Sequence, residues 1–265
     1  MTERKKFKHI YGPVPSWRLG ASLGIDLLSA KNKVCTFDCL YCQLGKSRKS
    51  YKQRKVFVPV KEIIRELELL PPLKIDYITL SGSGEPALAG NLGEAIHAIR
   101  KKRKEKIAVI TNASLLEREG VKKELLAADF VLFKLDAGSQ GAFERINRPA
   151  GRTRFKAIIK AIKEFRRRFK GRMALQMMFI KENKDCLKEM AAVAREVRAD
   201  EIQVNTPLRS SASKPLSKEE LSKIKNYFIR ECADIAKVIS VYDSARLGVK
   251  PINKADTSRR RGSCL

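Results

Sequence analysis

Three cysteines, Cys35, Cys39 and Cys42, stand in the run Cys-Thr-Phe-Asp-Cys-Leu-Tyr-Cys, separated by three and then two residues, with Tyr41 just before the last. A chain looped that tightly aims three sulfurs at one small inorganic body and offers no fourth ligand. Iron–sulfur clusters are ordinarily held by four thiolates, and closed structural zinc sites by four protein ligands. Three thiolates therefore leave one metal position open for chemistry. The remaining thiols, Cys186, Cys232 and Cys264, lie far apart without paired spacing and read as incidental or buried residues. With no secretory segment at the start of the sequence, six cysteines indicate metal or catalysis rather than disulfides.

Such a loop needs a scaffold, and the pattern of the 265 residues predicts one. Apolar residues make up 43% and charged residues 32%, enough for a core beneath a heavily charged surface. No apolar run approaches the roughly 20 residues of a membrane span, which predicts a cytoplasmic protein away from membranes. Residues 1–20 read as a leader, whose turn formers from Tyr11 to Gly20 cross one end of the domain. Ser22 to Leu28 reads as the first strand and runs straight into the cysteine loop. Five more strands follow at Ile75–Leu80, Ile107–Thr111, Phe130–Leu135, Met173–Ile180 and Glu201–Asn205, alternating with amphipathic helices. Ser217, with Glu220 three residues on, is a capping box for the last helix.

Six strand–helix units over residues 21–235 predict an α/β fold, a parallel sheet with outer helices. Residues 236–265 read as a C-terminal extension with a basic tail, Arg259 to Arg261. Polar motifs fall after nearly every strand: the cysteine loop, Ser81 to Pro86, Thr111-Asn112, Asp136 and Asn205-Thr206-Pro207. Open sheets concentrate their sites at one switch point, whereas barrels collect them at many strand ends, so the expectation is a partial (β/α)6 barrel. The glycines of Ser81-Gly82-Ser83-Gly84 let backbone groups approach a ligand closely.

These motifs resemble the radical S-adenosylmethionine superfamily: Cys35-x-x-x-Cys39-x-Tyr41-Cys42 matches its hallmark, and Ser83-Gly84-Glu85-Pro86 its Gly-Gly-Glu-Pro element with serine for the first glycine. The resemblance covers Ser22 to Thr206 and implies the partial barrel of that family. It implies that Cys35, Cys39 and Cys42 hold a four-iron four-sulfur cluster whose open iron takes the amino and carboxylate groups of S-adenosylmethionine. Tyr41 would lie against the adenine, and Ser83, Gly84 and Glu85 would bind the methionyl amine. Thr111, Asn112 and Asp136 would lie near the ribose or methionyl carboxylate. The implied activity is reductive cleavage of the sulfonium to a 5′-deoxyadenosyl radical that abstracts a substrate hydrogen, with an electron donor such as flavodoxin or ferredoxin.

The leader and the residues around the cysteines resemble iron–sulfur oxidoreductases related to wyosine-type transfer-RNA synthetases, which act on a guanosine next to an anticodon. Their second cysteine cluster has no counterpart, since no cysteine precedes Cys35. Charge points the same way. Lys plus Arg exceed Asp plus Glu by 56 to 29, a net charge of +27, which favours a polyanionic partner. Lys46, Arg48, Lys49, Lys52, Arg54 and Lys55 follow the cysteine loop with Tyr51 and Phe57 among them, a composition suited to phosphate contact and base stacking. Arg148 of Ile146-Asn147-Arg148-Pro149 is a further candidate anchor for an anion, and His9 and His97 read as surface residues. The leading expectation is a radical enzyme modifying a nucleoside in transfer RNA or other structured RNA. The alternatives are an activating enzyme for a protein of the glycyl-radical type, an enzyme of a small metabolite, and a zinc-stabilised RNA-binding module.

Overall fold

Strand-forming runs rich in Val, Ile, Leu and Phe lie side by side in chain order in one eight-stranded sheet. The computed structural model describes residues 7–47, 51, 53–243, 248–253 and 257. The strands are β1 (Ile10–Ser16), β2 (Gly20–Ile25), β3 (Tyr77–Leu80), β4 (Lys106–Thr111), β5 (Phe130–Lys134), β6 (Arg172–Met178), β7 (Glu201–Asn205) and β8 (Lys237–Ser240). β1 and β2 are antiparallel, and every later pair is parallel. Crossovers run through α1 (Val60–Glu68), α2 (Leu92–Lys102), α3 (Glu119–Leu125), α4 (Gln140–Asn147), α5 (Phe155–Arg168), α6 (Leu187–Val197) and α7 (Lys218–Cys232). The six expected strand–helix units are thus β2 to α7, curled into a half-barrel. Among the described residues no helix is long and apolar enough to cross a membrane.

Period-two alternation divides the sheet into two unlike faces. Leu23, Ile78, Val109, Val131, Phe133, Leu175 and Ile202 point outward into the main core with Ile63, Ile96, Leu125, Ile162 and Phe228 of the helices. The Phe133 ring meets Phe165 edge-on at 5.3 Å. On the inner face Ala108, Phe130, Leu132 and Ala174 close around Leu19 in a small separate cluster, towards the amino ends of the strands. Above that plug the inner wall turns polar, with Lys134 beside Gln176 and Gln176 beside Gln203 in register.

The leader departs from expectation. Ile10–Ser16 is not a crossing segment but β1, paired along β2. Pro13 and Pro15 lack N–H donors, which an edge strand tolerates and a central one does not. Its lead-in is pinned by Glu66 of α1, whose carboxylate accepts from the backbone N–H of Lys8 (2.7 Å), His9 (3.0 Å) and Ile10 (3.0 Å). His9 is buried rather than superficial, bonded to Ser29 Oγ at 2.8 Å and Glu62 at 3.1 Å. The C-terminal extension also joins the sheet, through β8 and then through a return to β1. There Ile252 N donates to Gly12 O (2.7 Å) and Gly12 N to Thr257 Oγ1 (3.1 Å). The tail at Arg259 to Arg261 and Cys264 lie outside the described residues.

The capping box at α7 is present in both directions: Glu220 N donates to Ser217 Oγ and Ser217 N to the Glu220 carboxylate, each at 3.1 Å. Ser217→Ala is expected to cost about 1 kcal/mol and to lower the melting temperature by roughly 2–4 °C, read by circular dichroism.

Candidate active site

The cysteine loop leaves the carboxyl end of β2 and is held from two sides. On one side it zips onto the segment that ends α4: Asp38 N donates to Asn147 O (3.0 Å), Leu40 N to Ile146 O (3.0 Å) and Ala150 N to Thr36 O (2.8 Å). Phe37 packs edge-on against Phe143 at 5.2 Å. The side chain of Lys33, only 2% exposed, donates to Asp38 at 2.9 Å and to Gly45 O at 3.2 Å, drawing the two ends of the loop together.

On the other side lies the glycine-rich loop after β3. Val34 N donates to Ser83 O and Glu85 N to Val34 O, both at 2.9 Å, so the two loops form a short ladder. Only glycine fits at position 84: φ is +156°, and a Cβ there would stand 1.7 Å from the Val34 carbonyl oxygen. Asp26, at the end of β2 and buried, accepts from the backbone N–H of Leu28, Ser29 and Ser83 and from the Ser83 hydroxyl. It organises both loops, and nothing in its sequence context distinguishes it from an ordinary strand-end turn.

The three sulfurs are free thiols on partly exposed residues. Donors point at two of them. Phe37 N lies 3.4 Å and Asn112 Nδ2 3.6 Å from Cys35 Sγ, and Asn147 Nδ2 lies 3.4 Å from Cys39 Sγ. Burial, with the Glu85 and Cys39 charges next, pushes the Cys35 thiol far up, and burial beside Asp136 pushes Cys39 up to about 11. Thiolates here need a cationic partner, and metal binding has to expel their protons. A closed zinc centre takes four protein ligands, and the loop offers three sulfurs. Sulfurs with N–H donors behind them, one ligand short, suit a larger iron–sulfur body whose potential such donors tune.

The expected cofactor residues gather at this centre, several with roles other than those expected. Glu85 does not face the cavity: its carboxylate accepts from the Thr111 hydroxyl (2.6 Å), Asn112 N (2.7 Å) and Ala87 N (3.0 Å). Burial holds its carboxyl above the ordinary range although those donors pull it down. It therefore locks the end of β4 against the glycine loop and leaves the backbone of Ser81, Gly82 and Gly84 to line the cavity. Asn112 ties the same bundle together, donating to Thr36 Oγ1 at 2.9 Å as well as reaching Cys35. Asp136 is likewise not an open contact. Its oxygens accept from Tyr41 OH, Asn147 Nδ2 (2.8 Å) and Met178 N (2.8 Å), with Lys134 Nζ at 3.3 Å. Through Asp136, Tyr41 is fixed by its hydroxyl, and one face of its ring lies 5.0 Å from Lys134 Nζ. Asn147, passed over in the sequence for its neighbour Arg148, joins Asp136 to Cys39.

The sulfur loop overlooks a cavity of about 400 Å³ inside the half-barrel, lined by Tyr41, Cys42, Lys134, Gln176, Asn205 and the leader turn at Trp17 and Arg18 among others. A second hollow of about 240 Å³ shares Ser16, Arg18, Gln43, Ile110 and Arg209 with it and reaches Gly82 and Gly84.

The basic segment after the loop is only partly as expected. Lys46 and Lys55 are exposed, and Lys55 Nζ sits 4.9 Å from the Phe57 ring centre. Arg54 is committed to the fold instead, donating to Ala87 O and Ala89 O at 2.8 Å and pairing with Glu124. Arg48, Lys49 and Lys52 lie outside the described residues.

Comparison with known proteins bears on the same architecture. The sequence profile described as Radical SAM superfamily matches residues 31–194. A UPF0026 protein of Synechocystis sp. PCC 6803 is 39% identical over 80% of this chain and 79% of its own length. A Brachyspira hyodysenteriae protein named GTPase Obg is 37% identical over 95% of this chain, which spans only 38% of that protein. The structure of TYW1 with a lysine–pyruvate adduct superimposes with a TM-score of 0.59 at 15% identity, covering 79% of this chain and 73% of that one. That likeness is one of fold.

Proposed function

Because this chain belongs to the radical S-adenosylmethionine superfamily and to the UPF0026 family, we propose that it abstracts a hydrogen atom from a nucleoside carried in structured RNA, most simply transfer RNA. It is a radical S-adenosylmethionine enzyme that uses one four-iron four-sulfur cluster and S-adenosylmethionine. When bound, these supply the electron and the sulfonium whose cleavage yields the 5′-deoxyadenosyl radical. Cys35, Cys39 and Cys42 would hold the cluster, with Asn112 and Asn147 donating to sulfur. The backbone of Ser83 and Gly84 would receive the methionyl amine, and the Tyr41 ring, fixed by Asp136, would bound the adenine. A reductant such as flavodoxin or ferredoxin would supply the electron.

The observation that carries the reading is the excess of Lys and Arg over Asp and Glu, 56 to 29; the cavity beside Cys42, about 400 Å³ and bounded by the same Tyr41 ring, is too small for folded RNA. The target residue would therefore be turned out of its stack into the half-barrel, while the excess positive charge of +27 attracts the surrounding phosphates. Lys46 and Lys55, exposed on the segment that follows the cysteine loop, would take part. A free nucleotide is a second reading, favoured by a 27% identity over 52% of this chain to a probable GTP 3′,8-cyclase of Saccharolobus solfataricus.

The test is anaerobic reconstitution and turnover with transfer RNA, followed by mass spectrometry of the digested nucleosides. RNA is expected to raise 5′-deoxyadenosine formation and to yield a mass-shifted nucleoside. If free nucleotides stimulate the reaction and RNA does not, the RNA assignment fails.

A further inference from the structure

The cysteine loop has two sides. One overlooks the cavity through Tyr41 and Cys42, and the other is covered by α4 and the segment that follows it. That cover is thin at the sulfurs. Asp38 N donates to the backbone oxygens of Asn147 and Arg148 at 3.0 and 3.1 Å, and Asn147 Nδ2 lies 3.4 Å from Cys39 Sγ. Asn147 is 2% exposed and the next residue, Arg148, is exposed, so on this side a single residue stands between a thiol and the surface. The segment then doubles back along α4. Ala150 N donates to Thr36 O (2.8 Å), and the Gln140 side chain bonds Thr153 O (3.1 Å) and Phe155 N (2.7 Å). None of the residues from 138 to 156 lines the cavity or the adjoining hollow.

This hairpin is strongly basic. Arg145, Arg148, Arg152, Arg154 and Lys156 are exposed, and none is in an ion pair or side-chain hydrogen bond among the described residues. The neighbouring carboxylates are engaged elsewhere. Asp38, which lies in the field of Arg148, is clasped by Lys33 at 2.9 Å and Ser47 N at 2.8 Å, and Glu144 accepts from Gln140 at 2.7 Å. Beside the hairpin a groove of about 870 Å³ opens between the start of α4, α5 and α6, floored by Phe155, Ile159 and Val193 and rimmed by Arg154, Lys156 and Lys160 among others. Glu164 and Glu196 on the same rim are paired with Lys122 (2.6 Å) and Lys163 (2.9 Å). An apolar floor within a charged rim is the make-up of a protein–protein interface. From that floor Phe155 packs against Phe143 at 5.6 Å, and Phe143 against Phe37 of the cysteine loop at 5.2 Å.

We propose that the basic hairpin and its groove are the docking surface of an acidic one-electron carrier protein, which reaches the cysteine loop from the side away from the cavity. The carrier is oxidised by one electron, and the iron–sulfur group held by Cys35, Cys39 and Cys42 is reduced by it. Electron transfer falls off steeply with distance. A carrier seated on Arg148 is kept from the Cys39 sulfur by one residue, and the cavity stays free for the substrate. Charge of opposite sign on the carrier would orient it and speed its encounter. RNA suits this face less well, because a nucleoside entering the cavity passes Trp17 and Tyr41, which line it, and the hairpin does not. The inference rests on the enzyme's need for a reductant and not on the identity of its substrate.

The probes are purified flavodoxin, an acidic flavin carrier, and transfer RNA, each titrated into the reconstituted holoenzyme by anaerobic calorimetry. Flavodoxin is expected to bind, and to bind roughly 10-fold more weakly as salt rises from about 50 to about 300 mM. Arg145→Glu combined with Arg152→Glu is expected to weaken flavodoxin roughly 10-fold or more. Lys101→Glu combined with Lys170→Glu makes the same change in net charge on α2 and ahead of β6, and is expected to leave flavodoxin binding unchanged. Transfer RNA should respond equally to the two pairs. Lys156→Glu, on the first turn of α5, is an independent variant should the hairpin pair misfold, with a loss of roughly 3-fold expected. In stopped-flow absorbance, reduction by flavodoxin should slow by the same factors, whereas dithionite, too small to need a docking surface, should reduce every variant at the unaltered rate. Equal flavodoxin affinities in the hairpin and control variants would overturn the inference, as would the absence of binding. A selective loss of transfer RNA in the hairpin variants would overturn it in favour of an RNA surface. The RNA reading is decided by turnover, which dithionite drives without a carrier, so the two fail separately.

Discussion

Gly84→Ala is expected to abolish S-adenosylmethionine binding and to lower the melting temperature by roughly 10 °C, through a clash of about 3 kcal/mol or more. The added methyl would lie 1.7 Å from the carbonyl oxygen and 2.4 Å from the carbonyl carbon of Val34. Both are backbone atoms, which cannot rotate away as a side chain would. Relief requires parting the two loops, which breaks the Ser83–Val34–Glu85 ladder and displaces the backbone that lines the cavity. Equilibrium dialysis with labelled S-adenosylmethionine and a thermal melt read the two effects. Gly45→Ala is the matched control: φ there is +74° with nothing within 4 Å of the new Cβ, so only the conformational cost, of order 1 kcal/mol, applies. If Gly84→Ala behaved like Gly45→Ala, the ladder would have no part in cofactor binding.

Cys39→Ala is expected to separate chemistry from fold. The variant should lose the iron–sulfur absorbance and reductive cleavage of S-adenosylmethionine altogether, because a body held by three thiolates has no ligand to spare. Its stability should change little. The backbone of the loop is held at Asp38, Leu40 and Cys42 rather than by the sulfur, and Asn147 keeps its bond to Asp136 at 2.8 Å when its contact to Cys39 is gone. Iron content, the visible spectrum and 5′-deoxyadenosine release would be measured beside a melt. A variant that kept its iron and its activity would remove Cys39 from the cluster.

Much of this was legible before any coordinates. The cysteine spacing, the six strand–helix units and the capping box at Ser217 are local patterns, and local patterns survive translation into three dimensions. The misreadings share a cause, dependence on a partner distant in the chain. β1 hides behind Pro13 and Pro15 because only its edge position makes them tolerable. Arg54 reads as a phosphate ligand until Glu124, 70 positions away, engages it. Asp136 and Glu85 look like open carboxylates at strand ends, and their saturation depends on Tyr41, Asn147 and Asn112 arriving from other loops. α4 went unseen because eight residues with three buried apolar positions, Ala142, Phe143 and Ile146, make too short a stripe to stand out.

The division of the sheet into an apolar outer face and a polar inner one has an evolutionary consequence. Cohesion comes from the shell outside the strands, while the lining above the Leu19 plug contributes little to it. Residues such as Gln176, Gln203 and Asn205 can therefore drift without endangering the domain, and their replacement should be cheap in stability even where it is fatal to recognition. A lineage built this way can change what it acts upon while its skeleton and its cysteine loop stay fixed, and a library confined to these inward positions is the natural starting point for redirecting it.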